Sequence, residues 1–136
     1  MKLVFEKPSV TDYLSLRSRV GTGDKNSERA RIAIENSLLT VCIYVESLLV
    51  GFGRIIGDGG ITYIIGDIMV DKNYQRRGYA NEIMKAIDDY LNEHTHEDSY
   101  VCLIAVSPAD KLYNRYKFEY LPENKGGMVR NQINII

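Results

Sequence analysis

No stretch of this 136-residue sequence approaches the length of a membrane-spanning helix, so no membrane partner is expected. The opening MKLVFEKPSV meets Glu6 before an apolar signal core develops, and no N-x-S/T acceptor occurs. The cytoplasm is therefore the expected location. Neither sign of charge dominates: 17 Lys and Arg face 18 Asp and Glu, a formal net charge of -1. With no basic stripe either, nucleic-acid binding is not expected, and any attraction for anions has to be local. Cysteine is scarce. Cys42 and Cys102 both lie inside apolar runs, TVCIYV and YVCLIAV, where a small thiol reads as core and not as half of a disulfide. His94 and His96 stand at i and i+2 with no third clustered ligand, so no metal is expected. Internal repeats and low-complexity tracts are absent. So is G-x-x-x-x-G-K-S/T, and Gly51-Phe-Gly53-Arg-Ile-Ile-Gly57 misses the dinucleotide fingerprint by one residue.

What is present reads as one folded domain over residues 1–136, since the chain is 45% hydrophobic and 26% charged and is too short for two ordinary cores. Lys2 to Lys7 reads as a strand closed by Pro8. Thr11 to Val20 then follows a helical pattern, capped by Ser9 or Thr11, and Glu28 to Ser37 follows another after the loop GTGDKNS. The run from Leu38 to Val70 is rich in β-branched and aromatic residues and is punctuated at Glu46-Ser47 and at Gly57-Asp-Gly-Gly60, which predicts three strands joined by two hairpins. From Gly78 to about Glu93, Tyr79, Ala80, Ile83, Met84, Ile87, Tyr90 and Leu91 recur at spacings of three and four. That spacing predicts an amphipathic helix. Tyr100 to Val106 reads as a central strand, Ala109 to Tyr116 as a helix opened by Ser107-Pro108, and Lys117 to Leu121 and Met128 to Ile135 as two further strands. The order β-α-α-β-β-β-α-β-α-β-β implies an α/β (α+β) fold, with a single mixed, mostly antiparallel sheet of about six to seven strands and about four helices packed on it.

Between the strand ending at Val70 and the helix opening near Gly78 lies DKNYQRRG. The first N–H groups of a helix have no partner inside it and its dipole places partial positive charge there, so such a corner attracts anions. Gly78 lets a ligand approach the backbone closely, and Lys72, Arg76 and Arg77 add full charge. Read alone, Arg76 and Arg77 are equally a solvated surface pair. At this point the residues carry a resemblance: Gln75-Arg76-Arg77-Gly78-Tyr79-Ala80 resembles the Q/R-x-x-G-x-G/A signature of the GCN5-related N-acetyltransferase (GNAT) family. Asp67-Ile-Met-Val70 resembles the strand end that precedes it, and Tyr113-Asn-Arg-Tyr-Lys-Phe118 resembles the downstream Tyr-x-x-x-Gly-Phe motif, with Lys117 in place of the glycine. A lysine resists the left-handed backbone that a glycine there permits.

The resemblance implies acetyl-CoA as co-substrate. It places the diphosphate against Gln75, Arg76, Arg77, Gly78, Tyr79 and Ala80, and the pantetheine and thioester beside the backbone of Ile68, Met69 and Val70. It makes Tyr113 the general acid near the sulfur, against a reading of Tyr113 as aromatic packing with Tyr116 as competitor. Ser107 is a candidate to hydrogen-bond the pantetheine, or simply a helix start. Asp67 interrupts an apolar strand, where a charge has to be paired, hydrogen-bonded or open to a cleft. It reads either as a base or seat for the acceptor amine, or as a carboxylate that caps a bulge. The family fold places residues 17–35 along the acceptor cleft, where Asp24, Glu28 and Glu35 read as surface salt-bridge residues or as partners of a cationic amine. The implied reaction is acetyl transfer to a primary amine of a small molecule or peptide, with a catalytically silent acyl-CoA sensor as the alternative and a homodimer through the C-terminal strands as an expected assembly.

Overall fold

The computed structural model describes residues 1–133, which fall into two compact units, Met1–Leu103 and Ile104 onward. The first contains β1 (Lys2–Val4), α1 (Val10–Val20), α2 (Ser27–Glu35), β2 (Leu39–Val45), β3 (Leu48–Gly57), β4 (Thr62–Val70), α3 (Tyr79–His94) and β5 (Tyr100–Leu103). The sheet order is β1-β2-β3-β4-β5, antiparallel throughout except for the parallel β4–β5 pair. The long connection from β4 to β5 carries α3, as a parallel pair requires.

Local chemistry explains the element ends. Ser9 caps α1 by accepting from the Asp12 N–H at 3.1 Å, and Gly21 ends it at φ 84°. Asn26 caps α2 in the same way, accepting from the Arg29 N–H at 3.0 Å. The two hairpins turn where expected, at Glu46-Ser47 and between Gly57 and Thr62. In the second, Asp58 accepts from the N–H groups of Gly60, Ile61 and Thr62. Those three bonds lower its pKa.

Helices cover both faces of the sheet. On one face Tyr13 and Leu16 of α1 and Ala30 and Ile34 of α2 meet Cys42, Leu49, Phe52 and Met69 in a single buried cluster, with the Tyr13 and Phe52 rings edge-on at 5.2 Å. On the other face α3 packs on β2, β3 and β4, burying Ile83, Met84, Ile87 and Leu91. Glycine lets this helix come close. A Cβ at Gly53 would stand 2.7 Å from both Ile68 Cδ1 and Ile83 Cγ2.

The second unit contains α4 (Asp110–Asn114) and no strand among its described residues. The sheet therefore has five strands where about six to seven were expected. Lys117 to Leu121 and residues 128–133 are turn and irregular chain, and the last two residues expected in the final strand lie outside the described residues. β5 likewise stops at Leu103, short of Val106, and α4 is shorter than predicted. The reason is that strand propensity measures fit to a half-buried pleated surface, not backbone preference alone. Tyr120, Met128 and Val129 are exposed, and Pro122, Gly126 and Gly127 break the run.

Candidate active site

The centre of the site is a bulge in β4. Phe52 pairs with Met69 and Arg54 with Gly66, so two residues of β4, Asp67 and Ile68, lie opposite the single residue Gly53. Asp67 takes φ 56°, a left-handed value that aspartate tolerates better than most residues. The extra residue switches the phase of the strand. Before it Tyr63 and Ile65 are buried, with the Tyr63 hydroxyl donating to His94 O at the end of α3; after it Met69 joins the α1/α2 cluster and Ile68 faces α3.

The Asp67 carboxylate is held on three sides. Tyr13 Oη and Arg54 Nε donate to Oδ2 at 2.7 and 2.8 Å, and Arg17 Nη1 donates to Oδ1 at 3.1 Å. Arg17 also donates to Thr22 O at 2.8 Å and Gly23 O at 3.1 Å, so one guanidinium ties the bulge to the loop between α1 and α2. Burial pushes the Asp67 pKa up, but the bonds from Tyr13 and Arg54 and the two guanidinium charges outweigh it and leave it below the ordinary carboxylate range. Burial and the same carboxylate raise the pKa of Tyr13. Arg17, Arg54 and Tyr13 went unseen in the sequence, because the contacts span 50, 13 and 54 residues. The signal that was present is Asp67 itself, a charge in an apolar strand that has to find partners.

The corner after β4 is tightly built. Asp71 is buried, accepts from the Asn73 N–H at 2.9 Å to open a 3₁₀ turn over Lys72–Tyr74, and pairs with Arg19, which also donates to Leu49 O at 2.8 Å. Gln75 Nε2 reaches back to Val70 O at 3.3 Å, and the Arg77 guanidinium lies 4.8 Å from the centre of the Tyr74 ring. Arg76 at φ 64° and Gly78 at φ 81° turn the chain, and helical bonding in α3 begins with the Glu82 N–H donating to Gly78 O at 3.0 Å. Among the described residues nothing lies within 4 Å of the position a Gly78 Cβ would take. The helix thus opens beneath clear space, where a phosphate can come directly against its first turn. Gln75, Arg76, Arg77 and Gly78 are exposed there and Tyr79 and Ala80 are half-buried, so six predicted residues form one surface beyond Ile68, Met69 and Val70.

Tyr113 and Ser107 belong to the second unit. Tyr113 lies in α4 with its ring edge-on to Phe118 at 6.5 Å, and the Phe118 N–H donates to Tyr113 O at 3.3 Å. Lys117 between them takes φ 74°, so the left-handed turn forms despite the missing glycine, at a cost of about 1–2 kcal/mol. Burial raises the Tyr113 pKa, which keeps the phenol protonated at neutral pH. Ser107 is exposed ahead of α4. Four of the remaining candidates have ordinary partners. Glu28 and Glu35 both pair with Arg31, His94 stacks on Tyr90 at 3.9 Å, and His96 meets Asp98 at 2.7 Å. Among the described residues no three His, Cys, Asp or Glu side chains group closely enough to hold a metal. No helix among them is long and apolar enough to cross a membrane.

A family model described as an acetyltransferase (GNAT) domain matches residues 20–128. A probable acetyltransferase from methicillin-resistant Staphylococcus aureus, solved at 1.7 Å, is 40% identical with a TM-score of 0.90 over 96% of this chain and 98% of that one. A GNAT-family acetyltransferase of Streptococcus pneumoniae is similar in fold at 23% identity, with a TM-score of 0.75 over 96% of this chain and 98% of that one. The Arabidopsis thaliana glucosamine-6-phosphate N-acetyltransferase shares the fold at 12% identity, with a TM-score of 0.71 over 97% and 99%. No curated protein matches the chain significantly. The family match spans most of a sequence that also carries the signature corner, and the chain belongs to the GCN5-related N-acetyltransferase family.

Proposed function

We propose that this protein is an acetyl-CoA-dependent N-acetyltransferase that acetylates a primary amine of a small molecule or peptide by direct attack on the thioester. The observation that carries the reading is the left-handed Gly78 under open space at the head of α3, next to a bulged strand end, in a chain of this family. The residues present fit the co-substrate: the corner offers a helix N-terminus, a backbone with no side chain in the way, and the exposed cations Lys72, Arg76 and Arg77 for a diphosphate. Acetyl-CoA supplies the activated acyl carbon.

The chain's own contributions follow from their chemistry. Gln75 to Ala80 bind and orient the diphosphate. The parallel ladder between β4 and β5 runs only from Thr62–Tyr100 to Ile65–Leu103, so on that edge of β4 backbone groups of Ile68 to Val70 are available to a pantetheine amide and, through an N–H, to a carbonyl oxygen that gains negative charge. Ser107 is a second hydrogen-bonding group for the pantetheine. Tyr113, whose phenol burial keeps protonated, donates that proton to the leaving sulfur. Of the two readings of Asp67, we favour the bulge anchor. A carboxylate held by two guanidiniums and a phenol, with a lowered pKa, is a weak proton acceptor, so the amine proton passes to solvent.

The test is release of free thiol from acetyl-CoA with a panel of primary amines. The proposal expects amine-dependent release, and Tyr113→Phe is expected to slow turnover by roughly 10²-fold, within the range for loss of an acid catalyst, with acetyl-CoA affinity kept. Binding without turnover on any amine would favour the silent sensor instead. Full activity in the variant would remove Tyr113 from the mechanism.

A further inference from the structure

Arg54 is only partly used by the protein. Its Nε is engaged with Asp67, while Nη1 has a single long contact, 3.4 Å to Ser37 Oγ, whose own hydrogen is directed to Ala33 O at 2.8 Å. Nη2 has no protein acceptor among the described residues, yet it is not sealed from solvent, since the one buried polar atom without a partner is Arg19 Nε. The side chain is nevertheless only 15% exposed. Half of a fork built for bidentate recognition is therefore held only weakly by the protein.

Charge runs the same way. Arg54 meets Asp67 of β4 and Ser37 after α2, and the same Asp67 carboxylate also takes bonds from Tyr13 and Arg17 of α1. Two guanidiniums share one carboxylate, so the cluster carries one uncompensated positive charge in a largely buried place, a costly arrangement that an anion relieves. The surface beside it is open. Gly66, the β4 partner of Arg54, has no side chain, and along the same face Ile64 is 40% and Tyr100 52% exposed. Gly66 is also two residues before Ile68, at most about 7 Å along the chain, so an acid bound at Arg54 lies within one small molecule's length of the proposed thioester backbone.

We infer that Arg54 is a specificity-determining residue that binds an anionic group of the acceptor, and that the acceptor is a small amine bearing a carboxylate or phosphate a few bonds from its nitrogen. The inference rests on the acetyltransferase reading and deepens it. The surplus positive charge also favours the neutral form of a nearby amine, the form able to attack.

The test titrates CoA-loaded protein, in which no acyl group is present to turn over, with matched pairs: phosphoethanolamine against ethanolamine, and β-alanine against β-alaninamide. The acid-bearing member of at least one pair is expected to bind about tenfold or more tightly, in line with a charge-assisted hydrogen bond, and the better pair tells phosphate from carboxylate. Arg54→Gln is expected to collapse that ratio and Arg54→Lys to restore part of it. Equal affinity within both pairs, or no measurable binding of either acid, overturns the inference in the wild-type protein alone, whatever the variants do. Failure of CoA itself to bind overturns the acetyltransferase reading instead, and the same pairs titrated against free protein then decide Arg54 separately.

Discussion

The two faces of the sheet are held by different chemistry. Under α3 the contact is apolar and close, with Ile83 and Ile87 set over the bare backbone of Gly51 and Gly53. Under α1 and α2 an equally buried apolar cluster gives way, at the bulge, to a knot of one aspartate, two arginines and a tyrosine. A face that only has to hold a helix needs no charge. One that has to hold an irregular backbone in place has a use for directional bonds, because a bulge has lost part of its ladder. The comparison assigns scaffold to the α3 face and control of the site to the other.

The largest way to break this contrast is Asp67→Ala, which leaves Arg17 and Arg54 without their anion. A loss of about 3 kcal/mol is expected in urea unfolding, the low end for a broken buried pair because these groups retain some solvent contact. The pH dependence sharpens it. The folded pKa of Asp67 lies below the unfolded one, so its contribution is present above the ordinary carboxylate pKa and is lost as pH falls through the lowered folded value. The stability difference between wild type and Asp67→Asn should be flat above pH about 5 and shrink below pH about 4. A difference that is unchanged into strong acid would deny Asp67 its anionic role.

On the opposite face, Gly53→Val should cost about 1–3 kcal/mol by overpacking, since even the first added carbon meets Ile68 and Ile83 at 2.7 Å. Its effect should not depend on pH, in contrast to that of Asp67. The smallest effect belongs to Arg31→Ala, which removes two exposed helix pairs with Glu28 and Glu35 and should leave the urea midpoint nearly unchanged. Were it to match Asp67→Ala, burial would not be what separates the two sets of ion pairs.

Local signals in the sequence located the α1 cap, both hairpins, α3 and the strand-to-helix corner before it. Ser9, the Asp58 turn and the stripe from Tyr79 to Leu91 each act within a few residues, so their chemistry is legible one segment at a time. The C-terminal strands were not, because Tyr120, Met128 and Val129 have strand-like character and no described strand beside them. At Asp67 the need for a partner was readable and the partner was not: only the folded sheet shows that Arg17 and Arg54 converge there. Lys117 shows a tertiary override of local preference, holding the turn that a glycine makes freely.

In the proposed function, the corner at Gly78 holds the diphosphate of acetyl-CoA. The most direct measurement is calorimetric titration of acetyl-CoA into the wild-type protein and into Gly78→Glu, with circular dichroism to confirm that both are folded. Saturable one-to-one binding is expected for the wild type and none for the variant, whose carboxylate occupies the clear space over the helix and repels the phosphates. Equal affinity in both proteins, or no binding to the wild type, would contradict it.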